Sequence, residues 1–120
     1  MENDTLIDPE AIENLRALNP DDGDSFLRDI VGIFLEDTPQ RLLELRESLS
    51  TGDRLRFTRA AHSIKGSASN LGANQLRGIS DILEQQSKNN GLINVDTLIA
   101  QLEAAFVVTK IELERIVTPV

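Results

Sequence analysis

The sequence contains no cysteine, tryptophan or tyrosine, and its only aromatic residues are four phenylalanines. Without cysteine the chain can form neither a disulfide nor a thiolate metal site, and it has no thiol nucleophile. A single histidine, His62, leaves too few ligands for a zinc site. No apolar run approaches the roughly 18–20 residues of a membrane span, and the acidic amino terminus lacks a signal-peptide core. We therefore expect a cytoplasmic protein that binds no metal or other cofactor.

Positive charge is also scarce, with 12 lysines and arginines against 20 acidic residues and a formal net charge of −8. Nucleic-acid phosphates would repel such a chain, and four phenylalanines do not provide a base-stacking platform. Nucleic acid and membrane are therefore excluded as expected partners. The 120 residues suffice for one domain with one hydrophobic core, and we expect a monomer.

Apolar residues recur at spacings of three and four through most of the chain, which predicts helices, and no β-type alternation is present. The expected fold is all-α, an antiparallel four-helix bundle over about residues 38–117. One or two additional N-terminal helices should occupy about residues 9–37. The dipeptide Thr38-Pro39 predicts a new helix or a sharp kink near residue 38, because proline favours the first helical turn.

Glycines and polar runs predict the remaining helix ends. Gly52 and Gly72 are natural stops, and Asp53 should cap the helix between them. Residues 87–91, Ser-Lys-Asn-Asn-Gly, read as a polar linker. The last helix should then be capped by Asn94 or Asp96 and run to about residue 117.

The segment from Arg54 to Ser80 contains no acidic residue, although the chain as a whole is acidic. It carries His62 and five basic residues: Arg54, Arg56, Arg59, Lys65 and Arg77. At about 100° per residue, the apolar positions lie within roughly 60° of Ile64, whereas His62 lies at about 160°. Those apolar positions are Phe57, Ala61, Ala68 and Leu71. The histidine should therefore face outward, or into a shallow groove, beside Leu55, Thr58, Gly66 and Ser69.

Gly66 stands one turn after His62, where a helix-interior glycine costs on the order of 1 kcal/mol relative to alanine. Its missing side chain would let another molecule approach the imidazole. Lys65, three residues after His62, could contact a group attached to the ring. Other interpretations stay open: an ordinary surface histidine, a helix end at Gly66, or a solvated basic face. The phase of Ala68 and Leu71 favours a helix that continues to Gly72.

Residues 62–68, His-Ser-Ile-Lys-Gly-Ser-Ala, followed by Leu71-Gly72-Ala73, resemble the signature of histidine-containing phosphotransfer (HPt) domains. The pattern is H-x-x-K-G-[SA]-[SA] and then a Leu-Gly pair. The stretches 6–9 and 34–39, and the pair Leu83-Glu84, also resemble HPt spacing. The resemblance implies a four-helix bundle that receives a phosphoryl group from one receiver-domain phosphoaspartate and passes it to the aspartate of another. Such proteins lack kinase activity of their own, and Mg²⁺ belongs to the receiver domain.

The same resemblance implies roles for individual residues. His62 would be the phosphoacceptor through Nε2, Lys65 would stabilise the phosphoryl group, and Gly66 would clear space for the receiver. Family members often place a Gln or Glu against the other ring nitrogen, and Glu84 fits that position. An antiparallel hairpin about Gly72 also brings His62 and Glu84 to nearly the same level. Glu84 could instead be a solvated charge or a partner of Arg77 or Lys88.

The expected partners are the receiver domains of response regulators and of a hybrid histidine kinase. Their acidic active sites should be attracted by basic residues near His62, and Leu55 would be the apolar anchor. The expected docking face is Leu55, Thr58, Arg59 and Ser69. Three alternatives remain: a histidine-kinase dimerisation domain, a histidine domain excised from a chemotaxis-type or hybrid kinase, and a non-catalytic receiver-docking module. The first usually has an acidic residue directly after its histidine, where this chain has Ser63.

Overall fold

The computed structural model describes residues 6–118, which form five helices and no extended strand. The helices are α1 (Pro9–Leu18), α2 (Ser25–Thr51), α3 (Arg54–Leu71), α4 (Asn74–Asn90) and α5 (Asp96–Val117). Helices α2 to α5 form a closed ring in which each packs against its two neighbours, while α1 lies against α2 and α3. Because the loops between the four helices are short, successive helices run antiparallel. The expected all-α bundle with an additional N-terminal helix is confirmed.

The apolar face predicted for α3 forms the centre of the core. Phe57, Ala61, Ile64, Ala68 and Leu71 are each no more than 1% exposed. The two alanines on this face allow α2 and α4 to approach the α3 backbone closely, and α3 packs most extensively against α4. The face of α3 that carries His62 is therefore held in a fixed direction by the core on its other side.

The expectation of a new helix at residue 38 is wrong, because α2 continues through Pro39 to Thr51. Pro39 lacks an N–H and removes one backbone hydrogen bond, but it is on the exposed side of the helix. The buried stripe passes Pro39 without a change of phase, and tertiary packing of such a stripe outweighs a local breaker. Its members are Leu27, Val31, Phe34, Thr38, Leu42, Leu45 and Ser48. The bundle therefore begins at Ser25, and residues 25–37 are part of it.

Two smaller expectations about helix ends also fail. Residues 87–90 are not a linker, because α4 continues to Asn90 and Ser87 is fully buried. The Ser87 hydroxyl donates to the Glu84 carbonyl at 3.0 Å and lies 2.7 Å from the Thr58 hydroxyl, so these polar atoms are satisfied within the bundle. At the start of α5, Val95 is the capping residue, and no side chain of Asn94 or Asp96 caps the helix.

The turn between α3 and α4 also anchors the N-terminal segment. Gly72 has φ +68°, and its carbonyl accepts from the Asp8 N–H at 2.9 Å. A Cβ atom at Gly72 would lie 2.7 Å from the Asp8 Cβ and 2.8 Å from the Ala11 Cβ. Glycine is therefore required here both by the left-handed backbone and by the close approach of α1.

Replacing Gly72 by alanine should destabilise the protein more than the same change at Gly52. Both glycines have positive φ, but a Cβ at Gly52 meets nothing within 4 Å. Gly52→Ala should cost about 1–2 kcal/mol of backbone strain, and Gly72→Ala at least about 1 kcal/mol more from overpacking against α1. Urea unfolding of the two variants measures the difference. Equal losses would show that α1 does not press on the Gly72 turn.

Candidate functional site

His62 lies on the outward face of α3 above a buried carboxylate of α4. The His62 side chain is 66% exposed, whereas that of Glu84 is only 4% exposed. The ring Nδ1 is 2.9 Å from Glu84 Oε2. The hairpin about Gly72 thus brings together two residues that are 22 positions apart in the chain. An exposed ring whose orientation is fixed from below can present its other nitrogen to a partner.

Glu84 is a buried charge with three nitrogen neighbours. Besides His62 Nδ1, Lys65 Nζ lies 2.6 Å from Oε1 and Lys88 Nζ lies 3.3 Å from Oε2. The Lys65 contact is an ion pair, and Glu84 Oε1 accepts no hydrogen bond among the described residues. Burial raises the pKa of Glu84, but the contacts with Lys65, His62 and Lys88 lower it by more than burial raises it. The resulting pKa is about 2. The carboxylate is therefore ionised at neutral pH.

An ionised Glu84 can only accept hydrogen bonds, so the proton between it and His62 belongs to Nδ1. In the neutral ring, Nε2 then carries the free lone pair. Nε2 has no hydrogen-bond partner among residues 6–118. The arrangement supplies a nitrogen nucleophile at the surface, and the carboxylate behind it can stabilise positive charge that develops on the ring.

Gly66 is exposed, and a Cβ added there would meet nothing within 4 Å. No packing within the described chain therefore requires a glycine at this position. Helix α3 continues beyond it to Leu71, with Gly72 as the C-cap, so the interpretation of Gly66 as a helix end is excluded. The open space over Gly66 leaves the surface next to His62 clear.

The expected docking residues differ in their accessibility. Leu55 is 60% exposed, and Arg59 and Ser69 are also exposed. The Ser69 hydroxyl donates to the Lys65 carbonyl at 2.9 Å. Thr58 is half-buried and its hydroxyl is 2.7 Å from that of Ser87, so it offers less of its surface than the helical count suggests.

The basic residues around this face also differ in whether a nearby carboxylate neutralises their charge. Arg56 lies 2.8 Å from Glu47 and is partly neutralised. Arg54 and Arg59 form no ion pair with any residue that the structure describes. A cleft of about 390 Å³ between α2 and α3 has a mixed lining, which includes Arg56 and Arg59 but also Glu44 and Asp53. Positive charge available to a partner is therefore concentrated at Arg54 and Arg59, at the start of α3.

Two residues of the site were not identified as site residues from the sequence. Asp81 accepts from Lys65 Nζ at 3.4 Å, and Lys88 contacts Glu84, a pairing noted only as an alternative role for Glu84. Asp81 and Lys88 stand three residues before and four after Glu84, the spacings at which helical side chains meet. That spacing is the signal that could have found them. Over residues 6–118, no cluster of three or more metal-ligating side chains occurs, and no helix could span a membrane.

Replacing Glu84 by glutamine should lower stability most near neutral pH. A carboxyl whose pKa falls from 4.5 to about 2 on folding stabilises the protein above pH 4.5 and loses this effect as pH falls toward 2. The difference in unfolding free energy between wild type and Glu84→Gln, up to about 3 kcal/mol, should therefore shrink over that range.

Urea unfolding at several pH values between 4.5 and 2 measures this difference. Glu114→Gln is the matched control, because Glu114 is exposed and forms no ion pair among the described residues. Its difference from wild type should stay nearly constant with pH. A constant difference for Glu84→Gln as well would contradict the stabilising role of the buried charge.

Comparison with known proteins agrees with this geometry. The family model described as "Hpt domain" matches residues 29–114. A search of curated proteins finds no match. The crystal structure of histidine-containing phosphotransfer protein B (HptB) from Pseudomonas aeruginosa PAO1 superposes with a TM-score of 0.85 at 27% sequence identity. The match covers 95% of this chain and 96% of that one. Together with the histidine of α3 and its partners on α4, the family match over most of the chain shows that this protein belongs to the Hpt domain family.

Proposed function

We propose that His62 is the phosphorylated residue through which this protein relays phosphoryl groups between receiver-domain aspartates in a multistep phosphorelay. The observation that carries the proposal is the exposed His62 ring with Nδ1 2.9 Å from the buried, ionised Glu84. The partners are receiver domains of response regulators and of a hybrid histidine kinase. The protein acts as a carrier in the cytoplasm, without kinase activity of its own.

The transfer requires one bond to form and one to break. The Nε2 lone pair attacks phosphorus in line, and the bond between phosphorus and the receiver's aspartyl oxygen breaks, so that the carboxylate leaves with the electron pair. Because Nδ1 keeps its proton, the ring becomes positively charged as the new bond forms. Glu84 stabilises this charge through the Nδ1–H hydrogen bond. Donation to the next receiver is the same step in reverse.

The receiver domain supplies Mg²⁺ and most of the stabilisation of the transferring group. This chain supplies the positioned nitrogen, the clear approach over Gly66, and a docking face at Leu55, Thr58, Arg59 and Ser69. Arg54 and Arg59 attract the acidic receiver site. Lys65 contributes a cation to the phosphoryl group once that group is attached to the ring.

His62→Gln should abolish labelling by a phosphorylated cognate receiver while leaving the helical circular-dichroism signal unchanged. The labelled wild-type protein should carry acid-labile, base-stable phosphate, as expected of a phosphohistidine. Labelling that persists in the variant would refute the assignment of His62. Receiver binding without any labelling of the wild type would instead favour a non-catalytic docking module.

Lys65→Ala should slow transfer from the receiver about tenfold, the effect expected from losing one charge-assisted hydrogen bond of roughly 1.5 kcal/mol. Lys110→Ala is the matched control, because Lys110 is exposed on α5 and forms no ion pair within the described residues. Both variants change the net charge equally. Single-turnover transfer rates measure the effect, and equal rates for both variants would remove Lys65 from the site.

A further inference from the structure

The Lys65 ammonium is held by two carboxylates of α4. It lies 2.6 Å from Glu84 Oε1 and 3.4 Å from Asp81 Oδ1, and its side chain is only 28% exposed. Glu84 also contacts the ring of His62 at Nδ1, so the ammonium and the ring share one carboxylate. A phosphoryl group on Nε2 would be attached to the other ring nitrogen. To pair with the Lys65 ammonium, that group must compete with the two carboxylates that now hold it.

The loss of Lys65 to the phosphoryl group has different consequences for the two carboxylates. Glu84 is buried, but Lys88 Nζ remains 3.3 Å from its Oε2, so Glu84 keeps a cation when Lys65 leaves. Asp81 has a side chain that is 48% exposed, and no other cation lies within ion-pair distance of it in the described chain. Water can solvate Asp81, but its attraction for Lys65 is lost. Asp81 therefore favours the position of Lys65 that the unphosphorylated protein shows.

We propose that Asp81 is a positioning residue that helps to hold Lys65 at Glu84 and competes with the phosphoryl group for its ammonium. The proposal rests on the proposed function and concerns the same site. Asp81 would act through Lys65 on the equilibrium of phosphoryl transfer between the receiver and His62. Asp81 sets how readily the cation becomes available, whereas Glu84 sets the orientation of the ring.

Asp81→Asn should shift the phosphotransfer equilibrium between a phosphorylated receiver and this protein toward phosphohistidine, by roughly twofold to fivefold. This is the effect expected of a partly exposed ion pair that opposes the phosphorylated state. Asp81→Glu keeps the charge and should stay closer to wild type. Asp29→Asn on α2 is the control for net charge, because Asp29 is exposed and forms no ion pair among the described residues; it should leave the equilibrium unchanged.

A double-mutant cycle with Lys65→Ala separates this mechanism from simple repulsion between Asp81 and the phosphoryl group. If Asp81 acts through Lys65, adding Asp81→Asn to Lys65→Ala should not shift the equilibrium further. If the shift is equally large in both backgrounds, Asp81 acts directly on the phosphoryl group and the proposal is wrong. The absence of any shift in the single variant would also refute it.

These outcomes are distinct from a failure of the proposed function. Wild-type protein that is labelled at His62, with an equilibrium insensitive to Asp81→Asn, would overturn only the role of Asp81. Labelling that survives His62→Gln would overturn the proposed function itself. Thermal unfolding of each variant by circular dichroism ensures that the compared proteins are folded at the assay temperature.

Discussion

The ionised carboxylate of Glu84 is the constraint on which the site depends. A buried carboxylate is tolerated only when nearby donors and cations compensate its loss of water, and here these come from both α3 and α4. The two helices must therefore keep a fixed level relative to each other. The tight turn at Gly72 and the apolar face of α3 provide that register. The packed pair of α3 and α4 thus both forms part of the bundle core and fixes the orientation of the His62 ring.

Helix α3 has opposite requirements on its two faces. The inner face uses small alanines beside Phe57 and Ile64, which favours close packing. The outer face carries Gly66, which weakens the helix by on the order of 1 kcal/mol relative to alanine. A Cβ atom at this position would meet no atom of the described structure within 4 Å. A stability requirement alone does not account for Gly66, whereas the proposed approach of a receiver domain to His62 would.

Helical periodicity was sufficient to predict the inner face of α3 and the outward direction of His62, because both depend on regular helix geometry. The level of Glu84 with His62 also required the family resemblance and an antiparallel turn at Gly72. Local signals failed where tertiary packing decides. Thr38-Pro39 has the sequence of a helix start, yet the buried stripe of α2 continues past it. Ser87 reads as a linker residue, yet Thr58 provides a hydroxyl partner for it in the core. Sequence spacing places Asp81 on the same helix face as Glu84, but its pairing with Lys65 depends on side-chain directions across two helices.

The charge balance of the site would allow an acidic protein to present His62 to the acidic receiver site that we propose as its partner. Glu84 and Asp81 are balanced by Lys65 and Lys88, so this cluster adds no net charge beside His62. On α3 itself, Arg54 and Arg59 form no ion pair among the described residues, and the helix contains no acidic residue. At physiological salt, charges beyond about 8 Å are largely screened. The net charge of −8 therefore matters less to a docking receiver than these nearby groups. In the proposed phosphorylated state, Lys65 can pair with the phosphoryl group while Lys88 stays at Glu84, so the buried carboxylate keeps a cation.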